Sequence, residues 1–311
     1  MKGKYRIGAG VRSLCATVAM VGVLAEAAAD NTGNTTVLID DVGQTVSRRP
    51  VPQRIVTLAP HLTELVIMLG ARDRLVGVTG PLEALPEPLD LPLVGDAFRI
   101  DEERLLAVKP DLVLAWASGN GADTLAKLNA LGLRSFVLES ETLPEIAGAI
   151  RRLGQLLQTP GAEAHAQAYE QALRQLRATY ADREPVRVFY QIWPQPVITV
   201  GRDLFMHEII ELCGGRNLFA DVPGKAVTVS TEAVLAREPQ VILSEPGGPD
   251  PFGQWQAWQV IPAVRDGQLH LLSSSTLSIP TPRLLIGAQE LCERLEQVRR
   301  ARYPARLGPS P

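Results

Sequence analysis

TLAPHLTELVIMLGA, Thr57 to Ala71, follows a short apolar run, RIV, and its second half returns much later as FMHEIIELCGG, Phe205 to Gly215. In the first copy Leu62, Leu65, Val66 and Leu69 recur at helical spacing, and Gly70 is a natural stop. A strand, a loop and an amphipathic helix are written twice. A second pair repeats in the same order: EERLLAVKPDLVL, Glu102 to Leu114, against TEAVLAREPQVIL, Thr231 to Leu243, offset by 129 positions. Each match is weak alone. Together and in order they predict two similar α/β lobes.

The surrounding text agrees. VLIDDVGQTVSRRP turns at Gly43 and predicts a small hairpin. From RIVTLAP onward, strands alternate with helical segments at the spacing of a parallel sheet with helices on both faces. VRVFYQIWP and TVG read as strands of the second lobe, and Trp255 and Trp258 fall in a helix before IPAVRDG. Between the lobes, Thr159 caps and Pro160 opens a segment rich in Ala, Glu, Gln, Leu and Arg. It predicts a rigid linking helix of more than twenty residues, ~35 Å long at 1.5 Å per residue. The expected architecture is α/β: a first lobe over 36–158, a linking helix over 159–183 and a second lobe over 184–305. Ligands of open α/β sheets bind outside the strand C-termini, so the site is expected in the cleft between the lobes.

The 311 residues are 46% apolar and 21% charged with a net charge of −3, an ordinary globular composition. No Lys/Arg block stands outside the first residues, which argues against a nucleic-acid partner. Those first residues are another kind of text. Lys2, Lys4, Arg6 and Arg12 precede an apolar run from Ser13 to Leu24 and then AEAAAD. This is the pattern of a secretory signal peptide over residues 1–29, cut near Ala27 or Ala29. The run is shorter than the roughly 20 apolar residues that span a bilayer, so an uncleaved anchor is the weaker alternative. Cys15 has Leu14 and Arg12 where a lipoprotein site wants small and apolar residues. Removing 1–29 takes away four basic residues and one acidic one and moves the net charge from −3 to −6. The exported chain keeps Cys213 and Cys292, which in an oxidising compartment are expected to pair. Two buried free thiols are the alternative.

No G-x-S-x-G, H-E-x-x-H or Walker loop is present. His61, His165, His207 and His270 show no metal-ligand spacing; His61 alone falls in a loop after a strand, where it could meet a metal centre of a ligand. The loops at predicted strand ends bring Phe98, Trp116, Tyr190 and Trp193 to the cleft with few charges, which suits a large, partly apolar ligand. Tyr190, next to Phe189, reads equally as core. Arg202 and Arg283 could meet an anionic ligand group; Arg283, beside Pro282, reads rather as a cap of the closing helix.

RIVTLAPHLTELVIMLGARDRLVGVTG, KPDLVLAW with GN behind it, LCGGRNLF, STEAVLAREP and TPRLLIGAQELC, in this order over residues 40–298, resemble the periplasmic substrate-binding proteins of the iron-siderophore, haem and vitamin B12 importers, the vitamin B12 branch above all. The resemblance implies a non-enzymatic periplasmic component of an ABC importer that binds cobalamin or a related corrinoid. Its partners would be a permease and its ATPase; the protein would be monomeric and hold no cofactor or metal beyond the ligand. By the same likeness, Trp116 matches an aromatic placed against the corrin, and Cys213 and Cys292 match a disulfide pair. Glu232 matches an acid that docks on a permease arginine. Its first-lobe partner aligns with Ala122, and Asp123 beside it takes that role; plain solvated acids are the alternative for both. The sequence also departs from the pattern. Gly80 and Pro81 stand where a tyrosine is expected, Ala226 replaces a pocket tryptophan, and Ser275 and Ile279 replace an acidic and a basic residue. Haem and ferric siderophores therefore stay open as ligands. A secreted metal-dependent hydrolase or a bare-metal receptor at His61 and Asp96 is a distant reading.

Overall fold

Ile55 and Val56 are completely buried, as a central strand covered on both faces requires. They open the first lobe in a computed structural model that describes residues 37–80, 85, 88–96, 99–246, 249–273 and 276–302. The signal segment, Phe98, Pro81, Ser275 and the outermost lobe boundaries lie outside the described residues. A hairpin of β1 (Val37–Ile39) and β2 (Thr45–Ser47) comes first. Then follow β3 (Ile55–Thr57), α1 (Pro60–Met68), β4 (Leu75–Val78), α2 (Glu102–Ala107), β5 (Leu112–Trp116), α3 (Ala117–Ala130), β6 (Ser135–Leu138) and α4 (Leu143–Leu157). Helix α5 (Ala162–Tyr180) leads to the second lobe: β7 (Val186–Trp193), β8 (Ile198–Val200), α6 (Phe205–Leu212), β9 (Gly215–Asn217), β10 (Ala226–Thr228), α7 (Thr231–Arg237), β11 (Val241–Ser244), α8 (Pro262–Arg265), β12 (Leu269–Leu271) and α9 (Leu284–Arg302).

The first sheet, ordered β4-β3-β5-β6, is parallel throughout. The second is mixed, where a parallel sheet is expected from the sequence. Its order is β10-β8-β7-β11-β12, with β9 also beside β7; β8 runs antiparallel to both β7 and β10. The cause is local: only four residues, Pro194 to Val197, connect β7 to β8, and so short a link can only reverse the chain.

Side chains alternate across each sheet with period two. Ile55, Leu112, Leu114, Phe136 and Leu138 face one core, while Val56, Val113, Ala115 and Val137 face another. In the second lobe Val186, Val188, Tyr190, Val241 and Leu243 face that same first core, while Phe189 and Ile242 face a third. One apolar core thus runs from lobe to lobe, filled by α4, α5, α6 and α9.

The repeat extends to backbone detail. Gly70 and Gly214 end α1 and α6 with φ of 75° and 68°. Lys109 and Glu238, 129 positions apart, take φ of 46° and 48° before Pro110 and Pro239. Asp101 and Ser230, at the same offset, cap α2 and α7 through the amides of Arg104 and Ala233. Two contacts then cross between lobes in a reciprocal way. Glu64 of α1 accepts from Arg283 at 3.0 Å, at the start of α9. Glu208 of α6, its counterpart, accepts from the Leu143 amide at 3.1 Å, at the start of α4. Arg283 is therefore an inter-lobe ion pair and not merely a cap.

The linking helix is shorter than its composition suggests. Gly161, with φ of 90°, stands at the N-cap, and Thr159 and Pro160 lie in the preceding turn. The 19 residues of α5 span about 28 Å. Trp255 is fully buried in a turn and Trp258 is exposed; neither lies in the expected helix. Cys213 and Cys292 form the expected disulfide, tying the end of α6 to α9. Among the described residues no helix is long and apolar enough to cross a membrane.

Candidate functional site

The cleft-facing end of the first sheet is built around Asn120. Its Oδ1 accepts from the Trp116 amide at 2.7 Å and its Nδ2 donates to the Leu58 carbonyl at 3.0 Å. One side chain thereby fastens the ends of β3 and β5 together. It brings two predicted residues into contact: the His61 and Trp116 rings meet edge to face, 5.2 Å apart at 88°. Pro60 at the first helical position and a buried 2.6 Å link between Thr57 and Thr63 hydroxyls fix the start of α1 that carries His61. Gly119 leaves room for the indole, since a Cβ there would lie 1.9 Å from the ring. The stretch Ala117 to Asn120, expected as a loop, is a helical turn that kinks at Gly121.

His61 is only 8% exposed. Burial pushes its pKa down to about 4, against an opposing pull from Glu139. The imidazole is neutral at neutral pH. No hydrogen bond engages its nitrogens among the described residues. Trp116 is half-buried. An indole and a neutral imidazole make an aromatic platform with a free nitrogen donor.

Beside this platform, Glu139 follows the end of β6. It accepts from the Ser118 amide at 2.8 Å and hydroxyl at 2.9 Å. Lys225 of the second lobe reaches it at 3.1 Å and Glu141 at 3.2 Å. Burial raises the Glu139 carboxyl, but the Ser118 bonds and Lys225 outweigh it and hold the group below its usual range. Burial likewise lowers the Lys225 ammonium, and the two carboxylates more than reverse this.

The second lobe contributes Trp193, exposed at the end of β7 with its Nε1 donating to Gln195 O at 3.1 Å. It borders a pocket of about 250 Å³ lined also by Ile192, Pro194, Glu245, Pro246 and Leu271. Burial raises the Glu245 carboxyl, opposed by Tyr190 and Ser278.

Two predicted ligand residues stand elsewhere. Tyr190 is 2% exposed. It shares a face of β7 with Val186 and Val188, so alternation turns it into the inter-lobe core. Burial, then the nearby Glu245 carboxylate, pushes its phenol well above the usual range. Arg202 follows β8, and because β8 runs back along β7, the residue is carried away from the end that bears Trp193. It is exposed, 3.6 Å from Asp203. Asp123 and Glu232 are exposed on α3 and α7. The Glu232 carboxyl is held below its usual range by its own amide and the Ser230 hydroxyl. Of the other histidines, His165 is exposed, His207 faces Glu211 at 4.0 Å, and His270 bonds Gln268. Among the described residues no group of three His, Cys, Asp or Glu side chains is placed to hold a metal ion.

Sequence reading places Gly119 and Asn120 in the cleft-facing loop after Trp116 but gives them no role, and it missed Glu139 and Lys225. Glu64 and Glu208 were visible as equivalent positions of the repeat.

Two α/β lobes joined by one long helix, with His61 against Trp116 at a strand end of the first, make a bilobal α/β protein. The chain belongs to the periplasmic binding protein family, which matches residues 55–276. A vitamin B12-binding protein of Vibrio cholerae is 38% identical over 252 residues, covering 80% of this chain and 91% of that one. The solved periplasmic vitamin B12-binding protein of Vibrio cholerae superposes with a TM-score of 0.72 at 36% identity, over 80% of this chain and 98% of the other. A periplasmic haem-binding protein of Roseiflexus gives 0.71 at 25% identity, over 79% and 98%.

Proposed function

We propose that this chain is the periplasmic substrate-binding component of an ABC importer and that its cargo is cobalamin or a related corrinoid. The observation that carries the reading is Trp116, held half-exposed by Asn120 and Gly119 at the cleft end of β5. A flat, largely apolar macrocycle stacks on such a surface. The likeness to vitamin B12-binding proteins supports the same cargo. The protein needs no resident cofactor, since the metal travels inside the cargo, and it acts as a monomer by binding and release alone. Asp123 and Glu232, one exposed acid on each lobe, dock on arginines of the permease; reversing both charges abolishes stimulation of the importer's ATPase while cargo binding persists.

Calorimetric titration of the ligand-free protein with cyanocobalamin tests the reading. A one-to-one isotherm in the micromolar range or tighter is expected, and Trp116→Ala weakens it about tenfold, the ~1.4 kcal/mol of a lost aromatic contact. Absence of cobalamin heat sinks the cargo assignment. Haem is the second reading, favoured by the neutral His61 nitrogen beside Trp116. It predicts a haemin Soret shift that His61→Ala removes.

A further inference from the structure

Charged contacts between the lobes fall into two kinds. Glu64 with Arg283, and Glu208 with the Leu143 amide, lie against the shared core, where Glu64 and Leu143 are buried. The third contact differs. Lys225 immediately precedes β10, the outer strand of the second sheet, and Glu139 immediately follows β6, the outer strand of the first. Their contact ties one sheet edge to the other on a flank of the cleft, where all three charged groups still meet solvent.

The two sides of this clasp are unequal. Glu139 is mounted rigidly. Its carboxylate holds the Ser118 amide and hydroxyl, and its own amide donates to Asp41 at 2.7 Å. Lys225 is a flexible four-carbon arm with three donors and, among the described residues, no side-chain partner in its own lobe. The mount adjoins the recognition surface, because Ser118 lies two residues after Trp116 and His61 feels the Glu139 charge. A ligand on Trp116 therefore has the clasp as its neighbour. Glu139 is mostly buried, but Lys225 is about a third exposed and Glu141 is exposed, so salt reaches the lysine side of the contact and it can open and close while the core contacts hold.

We propose that Lys225 is a positioning residue for cargo retention: by clasping Glu139 and Glu141 it holds the lobes at their separation, and its release lets the cleft widen. The inference rests on the reading of the cleft as the cargo site, but the latch itself can be measured without cargo. Spin labels at Ala126→Cys on α3 and Ala236→Cys on α7, both exposed positions, report the inter-lobe distance by pulsed electron paramagnetic resonance. In protein prepared without residues 1–29, which hold Cys15, the two remaining native cysteines, Cys213 and Cys292, are joined and do not label. In ligand-free protein, Lys225→Met broadens the distance distribution toward longer values, Lys225→Arg keeps it narrow, and 0.5 M salt, roughly a 4 Å screening length, broadens wild type without further effect on Lys225→Met. A distribution unchanged by Lys225→Met, or Lys225→Arg behaving like Lys225→Met, overturns the latch. With cyanocobalamin as probe, stopped-flow chase shows about fivefold faster release from Lys225→Met, the scale of one exposed ion-pair network. If cobalamin does not bind, the cargo assignment fails while the distance measurement still decides the latch.

Discussion

Helices α1 and α6 are the same element written twice, and the molecule uses them in opposite ways. Both end on a glycine in the left-handed region, and both send a glutamate to the other lobe. At the end of α6, Cys213 is joined to Cys292, and Arg299, 1% exposed, donates to the carbonyls of Cys213 and Gly214 at 2.8 Å each. A Cβ on Gly214 would meet that guanidinium at 2.7 Å, whereas one on Gly70 meets nothing within 4 Å. At the start of the helices the contrast reverses. Phe205 and Met206 disappear into the core, while α1 begins with His61 against Trp116. The duplicated frame has diverged: the second copy is anchored by the disulfide and Arg299, and the first carries the His61–Trp116 ring pair.

The anchor carries the largest expected effect. The disulfide closes a separation of 79 residues, and the loss of loop entropy in the unfolded chain corresponds to about 4 kcal/mol. Urea unfolding of Cys213→Ser/Cys292→Ser should show a loss on that scale. Because α6, α9 and the inter-lobe core are continuous, the whole chain should unfold at lower urea in one transition. A loss under about 1 kcal/mol would mean that Arg299 alone secures the end of α6.

The first copy should reveal itself through pH. The unfolded chain protonates His61 near 6.5 and the folded chain near 4, so the unfolded state binds more protons between these values. Stability contributed by the neutral ring is present above pH 6.5 and is lost as pH falls toward 4. The shift corresponds to about 3 kcal/mol. Carboxylates also titrate there, so the test is the difference between wild type and His61→Phe, measured by urea unfolding at several pH values. Parallel curves for the two proteins refute the assignment; a flatter curve for His61→Phe supports it.

Much of this comparison is legible in the sequence because it rests on local signals. Helical spacing, stop glycines and Pro-marked turns each act within a few residues, and the two copies reinforce each other. Trp116 at a strand end and the lone pair of exported cysteines are also local or compositional facts. What escapes is set by distance and direction. The run TVG gives no sign of strand polarity, so the reversal of β8, and with it the place of Arg202, is invisible. Tyr190 could face either side until the register of β7 is fixed. Glu139 and Lys225 are ordinary loop charges 86 positions apart, and nothing in either neighbourhood announces the other.

The smallest effect separates the two reciprocal glutamates, which the repeat makes equivalent by position but not by chemistry. Glu64 faces a guanidinium, and Glu208 faces a backbone amide. Changing each to glutamine keeps size and leaves a carbonyl oxygen that can still accept from an amide. Glu208→Gln therefore retains its bond to Leu143 and should cost under about 1 kcal/mol. Glu64→Gln removes the anion beside a part-buried arginine and should cost about 2 kcal/mol, in the range of hydrogen bonds to charged groups. Unfolding curves of the two variants decide the matter, with the gap between them as the observable. Equal costs would mean that charge is immaterial at this interface and that the duplicated glutamates act only as acceptors. A gap of the stated sign means that charge matters chiefly on the α1 side of the reciprocal pair, while the α6 side serves mainly as a hydrogen-bond acceptor for the first turn of α4.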